Sequence, residues 1–433
     1  MRALSIIQIL WNLHTLRKNQ WLSTPELEKI RQKKLRALIK HAYENVPFYH
    51  RRFRDAGLKP DNIKTFEDLT KLPIVTREDV QTYSKDFVAR GVNISKCKKY
   101  LTSGSTGLPV TIISDKKAEE FRAAVFGFPF FECGFKPWQK MARFANLHPA
   151  VKTKHWYEYI GLMRNMWFSP LRPIEEAIPL LKKFHPHAIF AYASYLYLLA
   201  EKVKEIGESQ IAPRILFSTA DILTPRIRKF VSSVFEAEVF DFVGCIEVER
   251  TAWECKEHMG YHMDIDSVAI EFVKDNEHVD AGERGEILYT CLFNYAMPLI
   301  RYKVGDVGIP SDEKCPCGRG LPIMKAFEGR IDDFIVKADG TLIDPVSFPI
   351  IVENNATEKE IKRYQVIQEK KDKLVLRIVK GENFNENVLR NMLADIRKLV
   401  GKEMRIETVF MDEIPPLRSG KFRIVMSKVK PKF

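Results

Sequence analysis

From about residue 115 to residue 330, helical stretches alternate with short β-branched or aromatic runs, among them AIFAY, RILFS, EVFDFV, VAIEFV and GEILYT. Helices that recur between buried strands commit a chain to an α/β core, and here the later runs add antiparallel strands to it. After Gly329 the texture shifts to the short strands YQVIQE and KLVLRIV, with a helix between Asn385 and Val400. That tail is an α+β lobe of about 100 residues, the size of a small separate domain. The expected class is therefore α/β: a large multi-sheet domain over residues 1–330 and a small α+β domain over 331–433. At 433 residues and 45% hydrophobic, the chain has enough apolar surface for two such cores. Near the start, residues 24–45 are expected to be helical. Ser23 or Thr24 can cap, Pro25 fits the first turn, and Leu35, Ile39, Ala42 and Tyr43 recur at helical spacing before Asn45 and Pro47 end it.

Charge and cysteine content narrow the function. Lys and Arg outnumber Asp and Glu by 69 to 56, a formal +13. The basic residues are scattered among acids and accompany no nucleic-acid motif, so small polyanions are expected rather than nucleic acid. Seven cysteines spread over a long chain fit a reducing compartment, and a cytoplasmic location is expected. Cys97, Cys133 and Cys291 read as buried small residues. The first twenty residues are too short and too interrupted by Asn12 and His14 to span a bilayer. Leu4, Ile7, Leu10, Trp11 and Leu13 are spaced for an amphipathic helix that packs on the body, with peripheral membrane contact as the alternative. Oligomeric state is not written in any segment.

Between Tyr100 and Val110 the chain reads YLTSGSTGLPV. Gly104 and Gly107 let the backbone turn sharply and present N–H groups to an anion, and Thr102, Ser103, Ser105 and Thr106 add hydroxyls. An ordinary surface turn has the same composition. Four later segments add chemistry. VFDFVGCIEVE ends a strand at Gly244 with Glu247 just beyond, a place to offer a carboxylate. PLIRYKVGDVG sets Asp306 after Gly305 in a turn, where it can accept two ribose hydroxyls. FEGRIDDFIVKADG holds Arg330, Asp332 and Asp333 where the two textures meet, and PPLRSGKFRIV displays Lys421 after Ser419 and Gly420.

In this order the segments resemble the adenylate-forming superfamily that includes acyl-CoA synthetases, over nearly the whole chain. The closest resemblance is to the phenylacetate-CoA ligase family and its relatives, the capsular polysaccharide biosynthesis proteins of the CapK type. LRALIKHAYENVPFYHRRF, TSGSTGLP, NYAMPLIRYKVGD and CPCGRGLPIMKAFEGRIDD carry it. The resemblance implies an N-terminal adenylation domain and a mobile C-terminal lid, with ATP, Mg2+ and coenzyme A as cofactors and a small carboxylic acid, aryl or arylacetic, as substrate. Thr102, Ser103, Gly104, Ser105, Thr106 and Gly107 inherit the phosphate loop. Glu247 inherits magnesium, Asp306 the ribose, Arg330 the sugar or phosphate, and Ala220 and Asp221 the flank of the adenine. Lys421 inherits the bridge between carboxylate and α-phosphate, and Asp332 the hinge. A carrier protein or sugar as acceptor, or a homologue without catalysis, are the alternatives.

The chain also departs from the family pattern. Val243 stands where a tyrosine is common and Cys245 and Ile246 precede Glu247, which leaves Phe242 as the substitute surface for adenine. The resemblance puts the acyl pocket at residues 126–150, 192–195 and the Gly244 strand. There Phe126, Phe130, Phe131, Tyr192 and Cys245 suit an aromatic or apolar acid, or else form core. Finally, Cys315 and Cys317 in CPCG and Cys255, His258 and His262 in ECKEHMGYH are residue types that zinc prefers. The resemblance implies a structural zinc on Cys255, Cys315 and Cys317 with His262 favoured over His258, while reduced cysteines packed in a loop are the other reading.

Overall fold

The computed structural model describes residues 5–102, 109–145, 156–357, 359–417 and 421–431, which fall into two compact units. One comprises Met1–Lys136 with Phe240–Phe327, the other Pro137–Val239 with Glu328–Phe433.

In the first unit the helix Thr24–Asn45 forms as its sequence dictates. Ser23 and Glu26 close a capping box, the Ser23 N–H and hydroxyl donating to Glu26 Oε2 at 2.9 and 2.6 Å. Leu27, Leu35, Leu38, Ile39 and Ala42 then bury one helical stripe. The strands follow the spatial order Glu277–His278, Val268–Lys274, Gly285–Cys291, Tyr302–Ser311, Ile323–Arg330, Tyr261–Met263, Glu249–Trp253, Glu238–Cys245. Arg301, fully buried with φ +50°, ties this sheet to the chain before it. It donates to Glu271 at 3.0 Å, to the Leu72 carbonyl at 2.5 Å and to Asn276 at 2.9 Å. The arginine of the run NYAMPLIRYKVGD is thus structural.

The N-terminal helix Ile6–Asn19 packs along Lys116–Glu132, but not by the predicted stripe. Ile7, Leu10 and Trp11 face outward, and Ile7 is 83% exposed. Polar anchors hold the other side: Ser5 N–H to Glu120 at 2.8 Å, Arg17 to Glu132 at 2.7 Å and Gln20 to Glu132 at 2.9 Å. Leu4 lies outside the described residues. No helix among the described residues is long and apolar enough to cross a membrane. Cys133 and Cys291 are buried as expected, whereas Cys97 is half-buried and donates to the Asn93 carbonyl.

In the second unit the strands Lys140–Phe144, Arg164–Phe168, Ala188–Tyr192 and Ile215–Thr219 pair in parallel. Every residue of Ala188–Tyr192 is buried, the continuous apolar pattern of a parallel strand. Ala142, Phe144, Ile189, Ala191 and Leu216 pack with the helices Ile174–Phe184, Ala193–Glu205 and Pro225–Phe235. The tail of the chain has its own core, from Ile335 to Val425. Its sheet runs Arg405–Phe410, Lys373–Lys380, Ile361–Lys370, Val425–Ser427, and the helix expected between Asn385 and Val400 is Glu386–Val400 with Asn385 as its cap.

Candidate active site

In the first unit the strands Lys98–Leu101 and Thr111–Ser114 pair antiparallel and form the stem of the glycine-rich segment. Ser103, Gly104, Ser105, Thr106 and Gly107 lie outside the described residues. Thr102 closes the stem: it exchanges backbone bonding with Val110, whose N–H also reaches the Thr102 hydroxyl at 3.2 Å, and Arg77 donates to that hydroxyl at 2.8 Å. The loop therefore leaves a fixed base.

Glu247 sits in the turn that joins Glu238–Cys245 to Glu249–Trp253. It is buried, and among the described residues its carboxylate has no hydrogen-bond or ion-pair partner. Gly244 makes the turn possible. A Cβ there would lie 2.6 Å from Arg250 Cα and 2.7 Å from the Glu249 carbonyl oxygen, closer than atoms can approach, and the register slips between Val243 and Gly244. Cys245 ends the strand, half-buried.

Arg122, which sequence reasoning missed, fixes this turn from the helix Lys116–Glu132. It donates to Glu249 at 2.8 Å and to the Ile246 carbonyl at 3.1 Å, and its guanidinium carbon lies 4.5 Å from the Tyr100 ring centroid. Tyr100 in turn donates to Glu119 at 2.6 Å. One buried network so joins the stem of the glycine-rich loop to the turn bearing Glu247. No spacing signal could have found it, because Tyr100, Arg122 and Glu249 are distant in sequence.

Asp306 is not in a turn. It lies within Tyr302–Ser311, where Val304, Gly305 and Asp306 stand opposite Ile287 alone. This bulge, with Gly305 at φ +91°, re-aims the carboxylate. Tyr289 donates to Asp306 at 2.9 Å, and burial, together with the Asp306 charge, holds that phenol protonated. Phe130, 1% exposed, packs edge-on against Phe126 and Phe242 at 5.3 and 5.2 Å. Phe242 belongs to the same core, so its ring is committed to packing and is not a free surface for adenine. Phe131, half-buried, stacks on Phe135.

In the second unit Lys421 and Tyr192 come together, with the ammonium 5.7 Å from the ring centroid. Ser419 and Gly420 lie outside the described residues, but Leu417 N–H bonds the Lys421 carbonyl at 2.8 Å and shuts the loop that displays the lysine. Asp221 accepts from Ser194 at the start of the helix Ala193–Glu205. Burial pushes its carboxyl up to about 6, against the pull of Ser194 and of the Lys421 charge. Ala220 takes φ +68°, rare for a side chain with Cβ, as the chain leaves the strand Ile215–Thr219. Arg330 ends Ile323–Arg330 and caps the short helix Ile331–Asp333. Asp332 is half-buried within that turn, while its neighbour Asp333 takes the Arg423 side chain, Nε donating at 2.6 Å.

The cysteine cluster forms in the first unit. One ligand atom each from Cys255, His262, Cys315 and Cys317 lies within 4.8 Å of every other. Cys255 Sγ is 3.6 Å from Cys315 Sγ, and Cys317 Sγ is 3.3 Å from His262 Nε2. His258 turns instead toward Glu254, 3.5 Å away. Pairing of Ile323 with His262 sets the histidine beside the loop that carries Cys315 and Cys317. Burial drives His262 down to about 4, aided by the Arg319 charge, so the imidazole is neutral and able to ligate. Three thiols and one imidazole within that distance are a tetrahedral zinc donor set.

Residues 335–428 match the family described as the CapK C-terminal domain. The phenylacetate-coenzyme A ligase of Thermus thermophilus is 25% identical, over 93% of this chain and 98% of its own. Protein CapK of Staphylococcus aureus is 20% identical, over 94% and 90%. Among solved structures, 2-hydroxyisobutyryl-CoA ligase in the postadenylation state with 2-HIB-AMP superposes with a TM-score of 0.79 at 20% identity, over 95% of this chain and 92% of that one. The fold is that of the adenylate-forming enzymes.

Proposed function

We propose that this chain, a relative of the phenylacetate-coenzyme A ligases that carries a CapK C-terminal domain, is an ATP-dependent carboxylate–coenzyme A ligase working through an acyl-adenylate. The observation that carries the reading is the ammonium of Lys421, held over Tyr192 beside Asp221 in a fold shared with acyl-CoA ligases.

In adenylation a carboxylate attacks the α-phosphorus of ATP and pyrophosphate leaves, so two anions must approach while negative charge builds on the transferring group. Lys421 offsets that charge by touching both carboxylate and α-phosphate. The loop on the Thr102 stem holds the β- and γ-phosphates, Asp306 holds the ribose hydroxyls, Ala220 and Asp221 flank the adenine, and Arg330 contacts the sugar or phosphate. The nucleophile is already ionised and needs no general base. Glu247, buried with no protein partner among the described residues, is the carboxylate that would hold magnesium, which screens the phosphates when bound. Coenzyme A thiolate then displaces AMP from the adenylate. Between the steps the C-terminal domain turns about the hinge at Asp332.

The acid is aryl or arylacetic, with Tyr192, Phe131, Cys245 and Gly244 on the pocket side and Phe130 behind them. Cys255, His262, Cys315 and Cys317 hold a structural zinc. The exposed Ile7, Leu10 and Trp11 are the surface for any peripheral membrane contact, which liposome sedimentation of a form lacking residues 1–20 tests. The CapK match favours a second reading, in which a carrier protein or sugar replaces coenzyme A as acceptor. Pyrophosphate release across aryl, fatty, amino and sugar acids, with and without coenzyme A, decides. Release that leaves acyl-adenylate unconsumed by coenzyme A favours the second reading, and silence with every acid removes both.

A further inference from the structure

The second unit buries a cation that the proposed adenylation steps do not use. Arg143 lies on Lys140–Phe144, next to the end of that strand, and is 5% exposed. Its neighbours Ala142 and Phe144 pack toward the helices, so strand alternation sends Arg143 to the opposite face of the sheet. Register places it across from Trp167 on one side and Phe190 on the other. Its guanidinium carbon lies 5.3 Å from the Trp167 ring centroid and 5.9 Å from that of Phe190. Nε donates to Asn165 Oδ1 at 2.8 Å, and the Asn165 amide nitrogen donates to the Met163 carbonyl at 2.6 Å, which orients the amide with its oxygen toward the arginine. Burial lowers the guanidinium to about 10, with the Tyr157 phenol opposing the shift, so the group remains charged at neutral pH.

This fixed cation is close to the lysine of the proposed chemistry. Tyr192 follows Phe190 by two residues on the same strand, hence on the same side and about 7 Å along. Phe190 is directly opposite Arg143, and the Lys421 ammonium stands over Tyr192. Between the two cations lie aromatic faces, Tyr192 and Phe190, with Trp167 beyond. A flat ring carrying a carboxylate at one end and an acceptor at the other matches that sequence of groups. An arginine fork takes a carboxylate by two parallel hydrogen bonds, and an apolar ring end set against it would leave the buried charge without compensation.

We infer that Arg143 is a specificity-determining residue that reads a second anionic group, a carboxylate, at the far end of an aromatic acid whose first carboxylate is activated at Lys421. The inference rests on the ligase reading and narrows its substrate to aromatic dicarboxylic acids.

The test is pyrophosphate release with matched pairs, phenylacetate against 4-carboxyphenylacetate and benzoate against terephthalate, on the wild-type chain, Arg143→Met and Arg143→Lys. Wild type is expected to favour the dicarboxylic member by at least about tenfold in kcat/KM, mostly through KM. Arg143→Met is expected to lose that preference and turn toward the uncharged acid, and Arg143→Lys to keep part of it. Equal use of both members by wild type overturns the inference and leaves the ligase reading standing, as does an unchanged ratio in Arg143→Met. Should Arg143→Met fail to fold, the wild-type ratio and Arg143→Lys still decide. No pyrophosphate from any acid removes the ligase reading, and this inference with it.

Discussion

Arg122 Nη1 lies 2.8 Å from Glu249 Oε2, a buried ion pair that also draws in the Ile246 carbonyl and so clamps both sides of Glu247. Removing the cation would strand Glu249 and Glu119 in the interior, which costs about 3–5 kcal/mol for a broken buried pair. Arg122→Lys keeps the charge but not the two-point grip. It is expected to lower pyrophosphate release by about tenfold, equivalent to about 1.4 kcal/mol of barrier, at a smaller loss in thermal midpoint than Arg122→Met. Unchanged turnover in Arg122→Met would show that the turn needs no clamp.

Gly244 meets the opposite strand's backbone, not a flexible side chain, so the neighbours cannot step aside. Gly244→Ala is expected to destabilise by about 1–3 kcal/mol in urea unfolding and to reduce adenylate formation by displacing Glu247. A variant with native stability and activity would mean that the bulge opens freely.

Lys421→Ala is expected to abolish acyl-adenylate formation while leaving nucleotide affinity nearly intact, because its contacts matter most when charge builds on the transferring phosphoryl group. Fluorescent ATP-analogue binding alongside single-turnover pyrophosphate release separates the two effects. Near wild-type release with the cognate acid contradicts the proposed role.

Asp221 carries a pH signature. Its folded value of about 6 exceeds the ordinary 3.8, with burial as the main cause. Between about pH 4 and pH 6 the folded chain holds a proton that the unfolded chain releases, so the residue's contribution to stability falls as pH rises through that window and stays low above it. Asp221→Asn removes the dependence. Relative to wild type it is expected to gain on the order of 2 kcal/mol between pH 4 and pH 7 in urea unfolding. A gap that does not change with pH contradicts burial as the cause.

The thiol–imidazole cluster predicts about one zinc per purified chain, with folding free energy coupled to the metal. Cys315→Ser is expected to lose the metal and lower the thermal midpoint, and chelation of the wild type to do the same. Metal content well below one per chain, with no shift on chelation, leaves the four residues as packed thiols and a histidine.

Much of the framework was legible because it is local. The capped helix Thr24–Asn45, the strand Ala188–Tyr192 and the tail helix Glu386–Val400 each follow from a cap, a periodicity or an apolar run within a few residues. The choice of His262 over His258 was also readable, through the glycine two residues before it. Asp306 was misread because Gly-Asp suggests a turn, whereas a bulge accommodates the same positive φ inside a strand. The N-terminal stripe was misread because periodicity identifies an apolar face without saying which side is covered, and polar anchors to Glu120 and Glu132 chose the other.

The sequence by itself determined the fold class, the order of the site segments and the identity of the residues offered to ATP, since those depend on local propensity and on residue chemistry. Only the tertiary structure decided what holds them. Arg122 reaches Glu249 across 127 residues of chain, Arg143 stands between Trp167 and Phe190, and four ligands separated by up to 62 positions converge. Such contacts are set by strand register and side-chain direction, which no short window of sequence contains.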